Sequence, residues 1–581
     1  MAFFGNPADD ILVPFYIVHS DKIRISSIRR QSLIKYFKKL RLFTFFVKFT
    51  HKEKLTKYIS MNMTRNEAIK SLSADKLWDI VVIGGGATGL GIAVDAASRG
   101  YKTLLLEQYD FAKGTSSKST KLVHGGVRYL ANGDLKLVFS ALKERGLIFK
   151  NAPHVSVVQS FVIPSYSFFS KMKYLIGLKI YDWMAGKLRI GKSTLLNKTQ
   201  VVDSLPKIKT AGLQGGIRYY DGQFDDARLA INLAQTAQEQ GATVLNYSQV
   251  TSIIKNAQGY VSGLQFVDNI GGKTYQVHTK AVVNATGVFV DDILKMDSIH
   301  HQNLVRPSQG SHIVIDKSFL GDHDALMIPE TSDGRVLFGV PWHDKVLLGT
   351  TDTPLNAHQI EPRPLEEELD FILDTAKDYL VSPPTRADIK SIFAGLRPLA
   401  APKSGEGNST KEISRDHKLI ESSSGLITIT GGKWTTYRKM GEETVDLVAK
   451  KHHLPPEACK THKLHLHGYS LEKLPGHWQV YGSDFAAIKE LMSSNEDLAQ
   501  KIHPKYDFRL AEVVWAVQNE MACKVEDFLA RRIRLLLLDA EASWEAAPVV
   551  ASTMAAQLGH DQAWIEKELS TYRELVDKYS I

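Results

Sequence analysis

At 581 residues the chain exceeds one ordinary domain and fits two or three, and 44% apolar residues suffice to build their cores. Its formal net charge of +9 sits almost wholly in residues 1–60, where 12 Lys/Arg face 4 Asp/Glu, so the rest is nearly neutral and gives no case for a nucleic-acid binder. The two cysteines, Cys459 and Cys523, lack CxxC or Cys/His ligand spacing and support neither a disulfide framework nor a metal site. The longest apolar runs fall short of the ~18–20 residues that span a bilayer, which leaves only peripheral membrane attachment.

Residues 1–60 are Lys/Phe/Ile-rich and acid-poor. They fit an organelle transit peptide, a surface anchor for anionic lipid, or an upstream region included by a misplaced start codon. The last is preferred, because the segment has neither sustained helical periodicity nor caps and MNMTRNEAIKSL offers a start at Met61 or Met63. Residues 1–75 are expected to be a basic extension outside the fold.

The next segment is the most informative. Ile80–Ile83 reads as a buried parallel strand; Gly84, Gly86 and Gly89 then open an amphipathic helix that runs from Ala87 to Ser98 with Gly100 as its cap. Gly84 permits the tight turn, Gly86 lets backbone approach a pyrophosphate, and Gly89 allows close helix packing, while the helix N-terminus offers N–H groups to the anion. A second strand, Thr103–Leu106, ends at Glu107, about 20 residues on, where a carboxylate accepts from ribose hydroxyls. The fingerprint occurs once, so a second nucleotide site of this kind is not expected.

Further along, Asp225 and Asp226 open a helix to Gln240, closed by Gly241 and followed by the strand ATVLNY. The strand KAVVNATG, Lys280–Gly287, ends in a small-residue turn suited to passing a cofactor at the carboxyl end of a sheet. Leu426–Thr430, Gly431 and Gly432 precede a helix from about Thr435, a second helix N-terminus aimed at the cofactor. Between these lie alternating strands, SHIVIDKS and GRVLFGVPWHDKVLLGTTDTP, read as an antiparallel sheet roofing a substrate pocket. After residue 451 the chain turns helical, with Val514, Val517, Met521, Val525 and Phe528 expected as a stripe along one helix. Ser167–Lys192 interleaves Phe168, Phe169, Tyr174, Ile176, Tyr181 and Trp183 with Lys171, Lys173, Lys179, Lys187, Arg189 and Lys192, a candidate for an anionic membrane surface; the competing reading is a core helix with a solvated basic face.

VVIGGGATGLGIAVDAASRG, GTSSKSTKLVHGGVRYL, FDDARL, QGSHIVI, LLGTTDTP, AGLRPL, SRDH, GGKWTTYRKM and VEDFLARRIRLLLLD resemble, in order from Trp78 to Asp539, the FAD-dependent glycerol-3-phosphate dehydrogenases of the bacterial membrane-associated and mitochondrial type. The resemblance implies an α/β fold: a Rossmann-like FAD-binding domain with an inserted antiparallel-sheet substrate domain, D-amino-acid-oxidase-like, over residues 76–450, and a C-terminal α-helical domain over 451–581. It also implies noncovalent FAD, glycerol 3-phosphate as substrate, electron transfer to membrane quinone and a homodimer. The family's substrate cluster falls on His124, Arg128, Tyr129, His312, Arg397, Arg415 and Lys433. The chain lacks the D-x-D-x-D-G calcium loop of animal members, so calcium control is not expected, and the cytoplasmic face of a bacterial inner membrane is preferred over the cytoplasm or the mitochondrial inner membrane.

The chemistry suits these residue types. A phosphomonoester carries close to two negative charges and calls for Arg and Lys in forked or clustered geometry, which Arg128, Arg397, Arg415 and Lys433 offer; Arg397 could equally close a structural ion pair. Oxidising a secondary alcohol by hydride transfer needs a proton acceptor, and His124 and His312 remain open candidates. Arg128 and Arg397 are the other residues expected at the reacting centre. Ser116, Ser117, Thr120, Gly287 and Gly432 are expected to join Gly84, Gly86, Gly89 and Glu107 in holding cofactor. The competing readings are a glycerol-3-phosphate oxidase using oxygen, an amine or amino-acid oxidase, and a non-catalytic flavin-binding membrane module.

Overall fold

The structure is a computed structural model that describes residues 14–19, 22–27, 64–72, 76–127, 130, 134–298, 300–321, 323–400 and 417–581. In the N-terminal unit, residues 1–63, the strands Pro14–His19 and Lys22–Ser27 pair antiparallel; the expectations for residues 1–60 otherwise lie outside the described residues. The second unit runs from Thr64 to Ile581. It therefore begins inside the extension expected to end at residue 75. A reciprocal capping box between Thr64 and Glu67 starts a short helix, and Arg65 reaches Asn246 and, at 2.5 Å, Asp268.

The second unit opens with α1 (Arg65–Lys70), β1 (Leu77–Ile83), α2 (Ala87–Ser98) and β2 (Thr103–Leu106). Next come α3 (Leu135–Asn151), β3 (Ser156–Pro164), α4 (Phe168–Ala185), β4 (Gly216–Phe224), α5 (Asp226–Glu239), β5 (Thr243–Leu245) and β6 (Thr274–Asn284). The strands β7 (Val305–Asp316), β8 (Ala325–Ile328), β9 (Leu337–Trp342) and β10 (Lys345–Gly349) precede α6 (Glu366–Tyr379), β11 (Ser391–Ala400), β12 (Ile427–Thr430) and α7 (Tyr437–Lys451). The C-terminal part contains α8 (Leu510–Asn519), α9 (Ala540–Leu558) and α10 (Gln562–Tyr579).

One sheet has a parallel core in the order β12, β6, β1, β2, β5, extended by antiparallel strands Ser248–Lys255 and Val261–Asp268. The continuous apolar runs that form it are buried on both faces, as a parallel sheet requires. α2 departs from its expected amphipathic character: nearly every residue is buried. The cause is α7, which crosses it so closely that a Cβ on Gly91 would lie 2.8 Å from the Tyr437 carbonyl oxygen, and one on Gly441 2.6 Å from that of Gly91.

The second sheet carries the expected antiparallel roof. β7 pairs antiparallel with β10 and β11, β10 with β9, and β9 with β8; β8 then runs parallel to β3, which pairs antiparallel with β4. The C-terminal helices build their own core from Val513, Val550, Met554 and Val576, and Trp342, Leu347 and Phe393 of this sheet complete it. The expected stripe does not follow one helix. α8 stops at Asn519, Met521 takes a positive φ of 52°, and Val525 and Phe528 belong to the next, more loosely wound turn, although Val514, Met521, Val525 and Phe528 are all buried.

An ionic cluster locks this helical part to the cofactor-binding half. Asp110, 0% exposed, accepts from Arg531 Nε at 2.5 Å and from both terminal nitrogens of Arg532 at 2.7 and 3.0 Å. Burial alone would raise its pKa, but Arg532 and Arg531 reverse the shift and hold the carboxyl below its ordinary range. Folding thus lowers this pKa, so the contribution is complete above about pH 4, the unfolded value, and is lost as acid protonates the folded carboxylate. Asp110→Asn leaves two buried guanidiniums facing a neutral amide. It is expected to destabilise the fold by about 3–5 kcal/mol in urea denaturation near neutral pH, and an unchanged midpoint would show the cluster to be energetically neutral.

Candidate active site

The glycine loop is built as a cradle. A Cβ on Gly84, whose φ is +109°, would come within 2.8 Å of the Ala285 carbonyl oxygen, and one on Gly89 within 1.9 Å of that of Gly84. The first intrahelical bond of α2 runs from Leu90 N–H to the Gly86 carbonyl, so the preceding N–H groups face outward. Ser116 Oγ accepts that of Ala87 at 2.9 Å and therefore occupies the place where a helix N-terminus attracts an anion. Glu107 accepts from Gly85 N–H at 2.6 Å and Tyr109 N–H at 2.9 Å, pinning the loop with the same carboxylate that the sequence assigns to a ribose. These residues fit a dinucleotide such as FAD: tight backbone, an anion-seeking helix end and an acid at the second strand.

A cavity of about 320 Å³ adjoins this cradle, a size ordinary for small-molecule sites. His124, Gly126, Thr120, Gly310, His312, Thr350, Arg397, Gly432 and Lys433 share its wall. One side is apolar, with Leu122, Val127, Phe161, Met327, Val336 and Phe338. Trp434 links cavity to cradle, since its indole Nε1 donates to the Ser116 carbonyl at 2.8 Å.

Arg397 projects from β11, where Ser308 of β7 stands opposite it. Its guanidinium donates to the Gln309 carbonyl at 3.3 Å, Thr350 Oγ1 at 3.1 Å and Asp352 at 3.1 Å. The expected ion pair is present, yet the side chain keeps a place in the cavity wall. His312 is 2% exposed, stacks on Phe393 with centroids 4.9 Å apart, and shares a 2.9 Å hydrogen bond between Nε2 and Thr120 Oγ1. Burial, then the nearby Arg397 and Lys121, push its pKa well below the ordinary value, so the ring is neutral at pH 7. Lys121 stands behind the wall, fully buried against Asp226 at 2.8 Å.

The structure thus brings His124, His312, Arg397, Lys433 and Gly432 together. Arg128, Tyr129 and Arg415 lie outside the described residues. The three hydroxyls expected on the cofactor separate. Ser116 sits at the cradle, Ser117 is buried and donates to the Gly114 carbonyl at 3.5 Å, and Thr120, beyond the short helical turn Thr115–Ser117, meets His312 in the cavity. Gly287 has φ +63° and starts the turn after β6, next to the Ala285 carbonyl that closes on Gly84.

Sequence reasoning missed the side chains that hold the His-Gly-Gly turn. Tyr181 Oη accepts from Gly125 N–H at 2.7 Å and donates to Asp221 at 2.6 Å, and Asp221 pairs with Arg145 at 2.8 Å. Thr435 Oγ1 donates to the His124 carbonyl at 3.3 Å, so the His-Gly-Gly turn is held from both sides. The one signal for this was the glycine pair itself: a Cβ on Gly125 would lie 2.4 Å from Tyr181 Oη.

A family model described as FAD dependent oxidoreductase matches residues 79–438, and one described as the C-terminal domain of alpha-glycerophosphate oxidase matches residues 427–565. The chain is 36% identical to the mitochondrial glycerol-3-phosphate dehydrogenase of Schizosaccharomyces pombe, covering 90% of each. It is 40% identical to a probable mitochondrial glycerol-3-phosphate dehydrogenase of Dictyostelium discoideum over 83% of this chain and 81% of that one. Among solved structures, the glycerol-3-phosphate dehydrogenase from Bacillus halodurans complexed with FAD aligns with a TM-score of 0.72 and 30% identity, covering 89% of this chain and 98% of that one.

Gly86 tests the cradle most cleanly. A Cβ there meets only Ser116 Oγ, at 3.1 Å, and that hydroxyl can rotate away, so the fold should tolerate a side chain that the cofactor's pyrophosphate cannot. Gly86→Val is expected to give folded, colourless protein by circular dichroism and visible absorbance; full flavin content would show the loop to be misassigned.

Proposed function

Because this chain belongs to the family of FAD-dependent glycerol-3-phosphate dehydrogenases, we propose that it oxidises sn-glycerol 3-phosphate to dihydroxyacetone phosphate and delivers the electrons to a membrane quinone. The observation that carries this reading is the meeting of Arg397 and Lys433 with two imidazoles in one cavity beside the dinucleotide cradle. A guanidinium fork and an ammonium match a phosphate dianion, and the imidazoles match a secondary hydroxyl. Bound FAD supplies the hydride acceptor at its nitrogen 5.

The chain's residues supply the rest. His312, neutral and hydrogen-bonded to Thr120, orients the hydroxyl; its suppressed basicity makes it a poor resting place for a proton. His124, half-buried on the clamped His-Gly-Gly turn, takes the proton. Arg397 fixes the phosphate, exchanging part of its hold on Asp352 for the substrate.

Attachment to a membrane rests on α4. Phe169, Ile176, Ile180 and Trp183 follow each other at helical spacing and are exposed by 84, 58, 43 and 78%. This outward apolar stripe supports the membrane-surface reading over the competing one of a core helix with a solvated basic face, and Lys173, Lys179 and Lys187 stay exposed beside it. Two of the aromatics assigned to it do not belong: Tyr181 is buried in the Asp221 network, and Tyr174 packs into the core under the sheet. Among the described residues no helix is long and apolar enough to cross a membrane. The stripe lies on the outer side of the helix whose inner side, through Leu175 and Leu178, covers the core beneath the apolar bay of the cavity, a route suited to a lipid-dissolved acceptor. The mitochondrial names of the relatives favour the mitochondrial inner membrane over the bacterial one, and a transit role for the basic residues 1–60.

Purified yellow protein is expected to bleach anaerobically with glycerol 3-phosphate and to recolour faster with a soluble quinone analogue than with oxygen. No bleaching would overturn the dehydrogenase reading, and faster recovery with oxygen would turn it into an oxidase. Arg397→Met should cost roughly 2–4 kcal/mol in the ratio of limiting rate to half-saturation with normal flavin content. His124→Asn should slow reduction by about 10²-fold, and His312→Asn less; the reverse order would exchange their roles.

Serine at Ile176 and Trp183 is expected to release the enzyme from anionic liposomes in flotation and to depress quinone reduction while activity with a soluble dye persists. Undiminished flotation would place the membrane surface elsewhere.

A further inference from the structure

Glu368, in the first turn of α6, is 4% exposed and collects five donors, all of them neutral. Oε2 accepts from Ser311 Oγ at 2.5 Å, Gln309 Nε2 at 2.7 Å and Leu365 N–H at 3.0 Å. Oε1 accepts from Thr353 Oγ1 at 2.6 Å and Thr351 Oγ1 at 2.7 Å. Burial acts to raise the pKa of this carboxyl, but the bonds from Ser311, Thr353, Leu365 and Thr351 outweigh it and the net shift is downward, so the group is ionised at pH 7.

The numbering of these partners matters. Side chains alternate along extended chain, and the tethered positions, 309 and 311 on β7 and 351 and 353 after β10, are those between the cavity-facing ones. Gly310, His312 and Thr350 line the cavity, and Thr350 and Asp352 receive the Arg397 guanidinium. The two segments are also in register, Gln309 opposite Thr353, and Ser311 N–H donates to Thr351 Oγ1 at 2.9 Å. Clearance on the cavity side is small: a Cβ on Gly310 would lie 2.3 Å from Arg397 Nη2, and one on Gly349 2.3 Å from His312 Cδ2. A slip of either segment would therefore move the guanidinium and the imidazole together.

We infer that Glu368 is a positioning residue of the active site, an anchor shared by the β7 segment bearing His312 and the 350–353 segment that aims Arg397. The inference rests on the proposed reading of the cavity as the glycerol 3-phosphate site. Glutamine in place of Glu368 keeps the shape but turns one acceptor oxygen into a donor. At least two of the four side-chain donors then face an amide nitrogen. Substrate recognition should suffer more than cofactor binding, because none of the tethered positions belongs to the glycine loop.

The test is anaerobic stopped-flow reduction of the full-length holoenzyme by glycerol 3-phosphate, for the native chain, Glu368→Gln, Thr351→Val and Thr353→Val. Bleaching of the native chain tests the reading of the site; only the ratio of variant to native tests the anchor. Glu368→Gln is expected to raise the half-saturating concentration about tenfold or more, with flavin content unchanged and a smaller fall in limiting rate, and inorganic phosphate should inhibit it correspondingly less. Each valine variant should show the same split at about two- to fivefold. Native half-saturation in Glu368→Gln, even with a lowered melting temperature, would reduce Glu368 to a structural residue and overturn the inference. Should that variant fail to fold, native half-saturation in both valine variants would overturn it equally.

Discussion

The contact on which the rest depends is the convergence of Arg531 and Arg532 on Asp110, three residues beyond the carboxylate that closes the cofactor fingerprint. Both guanidiniums and the carboxylate are withdrawn from water, a costly arrangement unless every charge is answered. The surroundings answer them: Arg531 also bonds Asp527 at 2.6 Å, Arg532 the Glu520 carbonyl at 2.6 Å, and Lys113 meets Glu526 at 2.6 Å. The segment so gripped, residues 110–113, lies on the glycine loop, since Ala112 N–H donates to the Gly85 carbonyl at 2.9 Å. The C-terminal helices are therefore part of the cofactor site's construction, although none of their residues enters the cavity wall. The adjacent arginines of the motif VEDFLARRIRLLLLD find their physical reason here, since both reach the one carboxylate from neighbouring positions on a loosely wound turn.

A second consequence concerns α4, which has two working sides. Its outer side carries the apolar stripe, and from its inner side Tyr181 holds the Gly125 amide and Asp221. Asp221 itself lines the cavity, and its pairing with Arg145 and Tyr181 keeps a carboxylate beside the proposed anion site from repelling the anion at full strength. Movement of α4 against the sheet would thus be felt one residue from His124. The helix that carries the outward apolar stripe and the turn that presents the proposed base are mechanically continuous.

What could be read from the sequence was what is local. The glycine fingerprint, the strand Thr103–Leu106 and the Asp225 cap of α5 each depend on residues within one turn or one strand, and they stand where periodicity and capping placed them. Arg397, His124 and His312 were singled out by residue type and motif, and the fold brings them to one cavity. The failures have a common cause in the third dimension. The helical stripe through Phe528 was broken by a left-handed residue at Met521 that no period reveals. α2 lost its solvated face to α7, which lies some 350 residues away along the chain. Tyr181 looked like one more interfacial aromatic until the phase of the helix turned it inward. Glu368 was illegible, because its partners are drawn from two strands and nothing in an acid-rich helix start, Glu366 to Glu368, distinguishes the one carboxylate that is buried.

The two buried carboxylates, Asp110 and Glu368, solve the same problem in opposite ways. Asp110 lies outside the cavity wall and is answered by cations, which bind the C-terminal helices strongly to the segment after the fingerprint. A cation used in the same way beside Glu368 would stand one strand from Arg397 and compete with it for the phosphate of the proposed substrate. Hydroxyl, amide and backbone donors satisfy the Glu368 oxygens without adding positive charge. The carboxylate's charge is spent within its own hydrogen bonds, and its donors add no cation to Lys118, Arg397, Lys418 and Lys433, which line the cavity. On the proposed reading, placement of a dianion depends on where neutral side chains hold two strands as well as on the cations around the site.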